Sequence, residues 1–335
     1  MKIGKVPESV LRRSVLKQLK IVRPEVVMGP AAGEDCAAIQ LAAEEMILLS
    51  TDPVTISTQK AGYEAVHLTA NNLASSGAEP VGVMITILLP EKAKEKDLKQ
   101  LIKDIQQACT ELGIDVLGGH TETTDAVKRI VVTATGIGKV KKEELTATKG
   151  AGPEEDIILT RYAAMAGTAA IAWKQEEQLR SRYSKDFVDS AKELGKALSI
   201  VQEAKIAKEC GATSMHDVEE CGIYGALWEL AAASQVGLRI DLDAIPMKQE
   251  TVEVCEFFDL NPYKLSSGGC LLITAPRGRD LTDALQRAGI PAVIIGKTTK
   301  EQSKIIVREG EDGFLEPPKS DEIYQLCVRE REKEL

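Results

Sequence analysis

Met46-Ile47-Leu48-Leu49-Ser50-Thr51-Asp52-Pro53 is a short apolar run that stops on two hydroxyls, a carboxylate and a proline. A run of this length bounded by turn formers reads as a buried strand and its exit. Three motifs of similar character surround it. Upstream, Gly33-Glu34-Asp35 precedes Cys36-Ala37-Ala38-Ile39. Downstream come Asn71-Asn72-Leu73-Ala74-Ser75-Ser76-Gly77-Ala78-Glu79-Pro80 and Gly118-Gly119-His120-Thr121-Glu122. One such motif means little, since Asp and Gly form turns anywhere. Four in order put carboxylates and flexible backbone at the ends of successive elements, as a metal–polyphosphate site requires.

The segments between the motifs carry clear periodicities. Residues 8–19 alternate apolar and charged positions at helical spacing. Positions 63, 66, 67, 70, 73 and 74 follow a helix stripe, and Val81 to Leu89 is a β-branched strand. Residues 95–113 place Leu98, Leu101, Ile102, Ile105, Cys109 and Leu112 on one helical face. Asp115-Val116-Leu117 and residues 129–139 read as strands. A polar segment, 141–155, is the best boundary. Beyond it lie the strand Asp156-Ile157-Ile158-Leu159-Thr160, helical patterns to about residue 210, a helix stripe through Ile223, Ala226, Leu227, Leu230 and Ala231, and strand candidates at 238–242, 270–274, 292–295 and 304–307. The expected fold class is α+β, with domains over 1–145 and 150–318. A charged tail, 319–335, is expected to form a short surface helix.

Composition narrows the function. At 335 residues the chain is long for one core and natural for two. It is 44% hydrophobic and 28% charged, as a soluble globular protein is, and only 4% aromatic, which argues against a base-stacking platform. A net charge of −9 argues against a broad nucleic-acid or anionic-membrane surface. No apolar run is long enough to span a bilayer, and residues 1–5 do not open a signal core, so a cytoplasmic location is expected. Seven cysteines without a CxxC pair make a poor zinc site and a poor disulfide framework.

Asp35, Asp52 and Glu122 are the metal candidates, because Mg²⁺ takes hard oxygen ligands and few carboxylates. Singly, each acid reads equally as a turn former. Gly118 and Gly119 let backbone approach a ligand, with Thr121 beside them for phosphate. Thr133, Thr135, Gly136 and Gly138 either continue that surface or line a solvent-facing strand side. Asn71-Asn72 is an odd pair inside a helical pattern, since asparagine is a mediocre helix former. Either the pair closes onto the site as neutral ligands or it faces water. Met215-His216-Asp217-Val218-Glu219-Glu220-Cys221-Gly222 stands before a helix, where its acids either cap that helix or reach a substrate. His67 and His120 are ligands, acid–base groups or structural; for His67, on a helix face, the structural role is favoured.

Laid along residues 1–310, these motifs resemble the aminoimidazole ribonucleotide (AIR) synthetase, or PurM, superfamily, which includes HypE, thiamine-phosphate kinase and selenophosphate synthetase. The matching residues include Gly4-Lys5-Val6, Ser50-Thr51-Asp52, Ser76-Gly77-Ala78-Glu79-Pro80, Gly118-Gly119-His120-Thr121, Gly167-Thr168-Ala169, His216-Asp217-Val218, Ser267-Gly268-Gly269 and Ile295-Gly296-Lys297. The nearest likeness is to the HypE-like branch. The resemblance implies a PurM-like homodimer whose N-terminal domains form an interface β-barrel, with ATP and Mg²⁺ bound beside it. It implies that Asp35 and Asp52, with Glu122, hold Mg²⁺. Lys5, Asn72, Gly118, Gly119, Thr121 and Thr135 would contact the nucleotide, and Asp217 and His120 would serve catalysis. The implied chemistry is phosphorylation of a carbonyl or thiocarboxylate oxygen on a small molecule or carrier. The chain departs from HypE in three places. Asn72 replaces an aspartate, Val218-Glu219-Glu220-Cys221-Gly222 replaces a Thr-Arg-Gly-Gly motif, and Glu332-Lys333-Glu334-Leu335 stands where HypE ends in cysteine. The first and the last of these favour the alternative, a nucleotide-binding regulatory or scaffold protein without turnover.

Overall fold

The strand Val131–Lys141 alternates half-buried and buried positions along most of its length, so one of its faces is covered and the other is not. That alternation sets the layering of the first half. The structure, a computed structural model, describes residues 26–28, 33, 37–40, 44–54 and 60–326. Lys5, Asp35, Cys36, Cys327 and the helix expected at 8–19 lie outside them.

A six-stranded sheet has the order β1-β2-β3-β6-β4-β5. Its strands are β1 (Val26–Met28), β2 (Ala37–Gln40), β3 (Glu45–Val54), β4 (Glu79–Pro90), β5 (Asp115–Thr124) and β6 (Val131–Lys141). The helices α1 (Ala61–Ser75) and α2 (Glu95–Leu112) lie on one face. Val66 and Ile105 pack there against Val83, Ile85, Val132 and Ala134. Helix α2 is the crossover that makes β4 and β5 parallel; the other pairs are antiparallel. It ends at Gly113, in the left-handed conformation at φ 66°. Gly136 of β6 lets α1 press onto the sheet, since a Cβ there would stand 2.4 Å from Thr69 Cγ2.

The second half builds a seven-stranded sheet in the order β13-β12-β9-β11-β7-β10-β8. Its strands are β7 (Asp156–Thr160), β8 (Ser214–Val218), β9 (Gly237–Asp241), β10 (Cys270–Ala275), β11 (Ala292–Thr299), β12 (Lys304–Arg308) and β13 (Glu311–Phe314). Helices α3 (Met165–Lys174), α4 (Glu176–Arg180), α5 (Lys185–Glu193), α6 (Val201–Glu209), α7 (Gly222–Ser234), α8 (Gln249–Phe258) and α9 (Gly278–Arg287) complete it. Both faces of this sheet are covered. Ile157, Leu159, Val218 and Leu272 pack toward α7, while Ile158, Met215, Leu271 and Ile273 pack toward α6 and α9. Ala74 of α1 joins the second group, so the two halves share a hydrophobic seam.

Two expectations change here. The tail was read as a surface helix, yet Ile323, Tyr324 and Leu326 are buried among α3, α5 and α8. Their apolar stripe needs a partner, and those helices supply it. The motif at His216-Asp217 lies ahead of a helix, α7, as read, but its first residues are themselves strand β8, paired with β10, which the sequence reading did not name.

Candidate active site

Asp52 sits near the end of β3, on the face that α1 covers. β3 alternates, so Met46, Leu48, Ser50 and Asp52 all point toward that helix. Asn72, only 6% exposed, donates from Nδ2 to Asp52 Oδ2 at 2.5 Å and to Ser50 Oγ at 3.0 Å. Ser50 Oγ also lies 3.5 Å from Asp52 Oδ2. The carboxylate is therefore held by an amide and a hydroxyl. That donor set of hard oxygens suits a divalent cation of the Mg²⁺ type.

The neighbouring asparagine has a different task. Asn71, 1% exposed, donates from Nδ2 to Leu198 O at 2.8 Å and accepts from Ile200 N at 3.0 Å. It binds backbone of the second half. Neither member of the pair faces water, and Asn71 is a structural latch, not a ligand.

Register separates several residues that the resemblance would gather. Asp52 pairs with Ala134, Ala134 with Ile85, and Ile85 with Gly119. Two strands thus intervene between Asp52 and β5, a span of roughly 14 Å at ordinary strand spacing. Glu122 lies three residues further along β5, so it does not share a cation with Asp52 inside one protomer. Alternation also puts Thr135, Gly118, His120 and Glu122 on the uncovered face. Thr135 Oγ1 shares a 2.8 Å hydrogen bond there with Thr51 Oγ1. His120 Nε2 stands 3.1 Å from Glu122 Oε2, both on the exposed edge strand. Gly119 and Thr121 fall on the helix-side register of the same strand. Among the described residues, no three His, Cys, Asp or Glu side chains gather as a metal cluster.

The glycines are not a strand exit, as their motif suggested. They lie inside β5, and a Cβ on Gly119 would come 1.8 Å from Ile85 O. The close approach of β4 requires glycine there.

Asp217 is 4% exposed in the middle of β8. It shares a sheet face with Met215, which packs with Ala74 of α1 and Ile200. The carboxylate is thus placed on the side of the seam. On the opposite face, His216 Nε2 meets Glu229 Oε2 at 3.0 Å and Nδ1 lies 3.4 Å from Thr148 Oγ1. Gly33 packs against Glu229 O and Ala233 of α7.

His67 proves structural. It is 2% exposed, 4.3 Å from the Tyr63 ring and 3.5 Å from Glu111 Oε2. Burial pulls its pKa down to about 4, which keeps the imidazole neutral at pH 7.

Three residues escaped the sequence reading. Arg161, at φ 59°, donates to Glu203 Oε1 at 2.6 Å, Ala197 O at 3.0 Å and Ser199 O at 2.9 Å. Glu203 is 1% exposed, and its burial pushes the carboxyl upward against the pull of Arg161. Asp321 accepts from Cys221 N at 2.8 Å and Ile323 N at 2.9 Å. It thereby caps the first turn of α7, where Cys221 itself stands at φ 68°. Burial raises the Asp321 pKa to about 7. A charged residue directly after an apolar strand, as in Thr160-Arg161, was the one local signal for the first of these.

Comparison with known proteins adds the family. Residues 33–140 match the AIR synthase related protein N-terminal domain, and residues 153–308 match the corresponding C-terminal domain. The chain belongs to the AIR synthase related family. Among the family's proteins, a putative hydrogenase expression/formation protein of Methanocaldococcus jannaschii is 26% identical over 335 residues, spanning 97% of each chain. Carbamoyl dehydratase HypE of Rhizobium leguminosarum is 26% identical over 285 residues, 82% of this chain and 79% of that one. The crystal structure of hydrogenase maturation protein HypE in complex with ATP superposes with a TM-score of 0.72 at 20% identity, covering 94% of this chain and 95% of that one. The PurM-like fold expected from the motifs is the fold of this family member. Among the described residues, no helix is long and apolar enough to cross a membrane.

Proposed function

We propose that this protein is an ATP- and Mg²⁺-dependent enzyme of the HypE-like branch. It would phosphorylate a carbonyl or thiocarboxylate oxygen on a small molecule or carrier. The observation that carries the reading is the Asp52 carboxylate, held ready by Asn72 and Ser50 at the junction of sheet and helix. Support comes from similarity to HypE proteins over 82% of the chain in sequence and 94% in structure, one of which was solved in complex with ATP. Bound ATP would supply the transferable γ-phosphoryl group and Mg²⁺ the neutralisation of its charge. Asp52, with Asp35, would hold the cation. Lys5 would position phosphate and Asp217 would orient the acceptor from the seam, while Gly118, Gly119 and Thr121 of β5, two strands from Asp52, would meet the phosphate held by a second copy. Glu122, His120 and Thr135, which alternation turns to the uncovered face, would serve that face instead.

That open face also supports a homodimer. Met84 of β4 is 47% exposed on it, and Val116 and Leu117 of β5 are 44% and 51% exposed on the neighbouring edge strand. Apolar side chains gathered on an unpaired edge call for cover. A second copy that joined the two uncovered faces would close them into a barrel.

Isothermal calorimetry with Mg²⁺ and ATP, followed by phosphate-release assays, tests the reading. Binding should depend on Mg²⁺, and Asp52→Ala should abolish turnover. A wild-type protein that binds no nucleotide in Mg²⁺ would refute it. Binding without turnover under any substrate would instead establish the regulatory reading, which the amide at position 72 favours because it adds no metal-binding charge.

A further inference from the structure

Asn71 and Asn72 are consecutive on α1, so their side chains leave the helix about 100° apart. They use that angle to hold two different things. Asn72 fixes Asp52 and Ser50 on the sheet, and Asn71 fixes the segment 198–200 of the second half. Burying two amides in a helix is costly unless each is hydrogen-bonded. Here Asn71 uses both a donor and the acceptor, and Asn72 donates to two oxygens. The far side of the same segment is held by Arg161, through Ala197 O and Ser199 O. Helix α1 cannot slide freely between these anchors, because Thr69 and Leu73 rest directly on Gly136 of β6.

We propose that Asn71 and Asn72 form a positioning device that ties the seam between the two halves to the orientation of the Asp52 carboxylate. A change in the seam that displaces residues 196–200 pulls on Asn71. One residue later the same helix carries the amide that donates to Asp52 Oδ2. Packed side chains and hydrogen bonds on a stiff element transmit such displacements. Occupation of the acceptor side of the seam and the grip of Asp52 on a cation are therefore linked. This inference rests on the reading of Asp52 as a cation ligand for a nucleotide, and its test is built to separate the two.

The test compares wild type, Asn71→Ala, Asn72→Ala and the double variant. One readout is calorimetric affinity for Mg²⁺ with a non-hydrolysable ATP analogue. The other is hydrogen–deuterium exchange of the nucleotide-free proteins. Removing a direct orienting partner should cost roughly 10- to 100-fold in affinity, so Asn72→Ala falls in that range. Asn71→Ala, which touches nothing near Asp52, should cost about three- to tenfold. The double variant should be no weaker than Asn72→Ala alone, because the two act in series. In the nucleotide-free Asn71→Ala protein, exchange should rise in residues 50–54 as well as in 196–200. If exchange rises only in 196–200 and affinity stays at the wild-type value, the coupling is refuted and Asn71 is a latch alone. If the wild type binds no analogue, the nucleotide reading fails, and the exchange pattern by itself decides the coupling. Should Asn71→Ala not fold, Asn71→Ser supplies the same comparison.

Discussion

The two sheets solve the problem of their apolar faces in different ways. The seven-stranded sheet is sandwiched, with Ile157 and Leu159 facing one helical layer and Ile158 the other. Among the described residues, the six-stranded sheet has helices on one face only. Its other face presents Ile47, Leu49, Ile137, Met84 and a row of threonines that are at best half-buried. A doubly covered sheet carries its stability within the protomer. A singly covered one leaves part of its stability to whatever meets the open face. The difference sets the proposed chemistry beside the seam between a doubly covered sheet and a singly covered one.

Changes at the seam and in the sandwiched sheet should cost most. Arg161→Ala leaves the buried Glu203 without its ion pair, and such losses run to about 3–5 kcal/mol. Urea unfolding measures it, and a loss below about 1 kcal/mol would mean that Glu203 takes up a proton in place of its partner. Ile158→Ala should cost about 2–5 kcal/mol by opening a cavity in the double-layered core. The matching Ile137→Ala on the open face should cost well under half of that in dilute protein. Equal losses would break the comparison between the sheets.

Association comes next. Met84→Glu should turn a dimer into a monomer in sedimentation velocity without altering far-UV circular dichroism. A dimer that survives it would move the interface off the open face. If the dimer forms as proposed, the wild-type melting temperature should also rise with protein concentration.

The smallest effects are in pH dependence. Asp321 titrates near pH 7 when folded and near 3.8 when unfolded, so the folded state holds the extra proton between those values. Its contribution is complete at low pH and is lost as pH rises toward 7. His67 runs the other way. The unfolded chain binds its proton near pH 6.5 and the folded chain only near 4, so stability falls as pH drops through that window. Melting curves of Asp321→Asn and His67→Gln between pH 4 and 8 should each remove one of these opposing slopes, by a few degrees. An unchanged profile in either variant would dismiss that group as the source.

Much of this was legible because local pattern and final environment agree. The apolar run at 46–50, the stripe from Tyr63 to Ala74 and the β-branched run to Leu89 became β3, α1 and β4 nearly as read. The failures share one cause, which is information held by non-local partners. Chain order suggested that Glu122 and Asp52 converge, but the crossover order β3-β6-β4-β5 parts them. His216-Asp217 looked like a polar lead-in to a helix. Pairing with β10 and the contact with Glu229 make it a buried strand. The asparagines looked like one motif with one fate, although a helix turns adjacent residues to different neighbours. Gly118-Gly119 looked like an exit because the carbonyl of Ile85 that demands glycine is remote in sequence.

The cap on α7 has a consequence for the order of events during synthesis. Cys221 N finds its acceptor in Asp321, 100 residues later in the chain. Growing from its N-terminus, the polypeptide lays down α7 long before that carboxylate leaves the ribosome. Until then the loop at 219–222 lacks this tether. A chain cut short before Asp321 could therefore build both sheets and still leave the loop ahead of α7 without this tether. The Asp321 carboxylate thus fastens this loop only after the loop and both sheets have been synthesised.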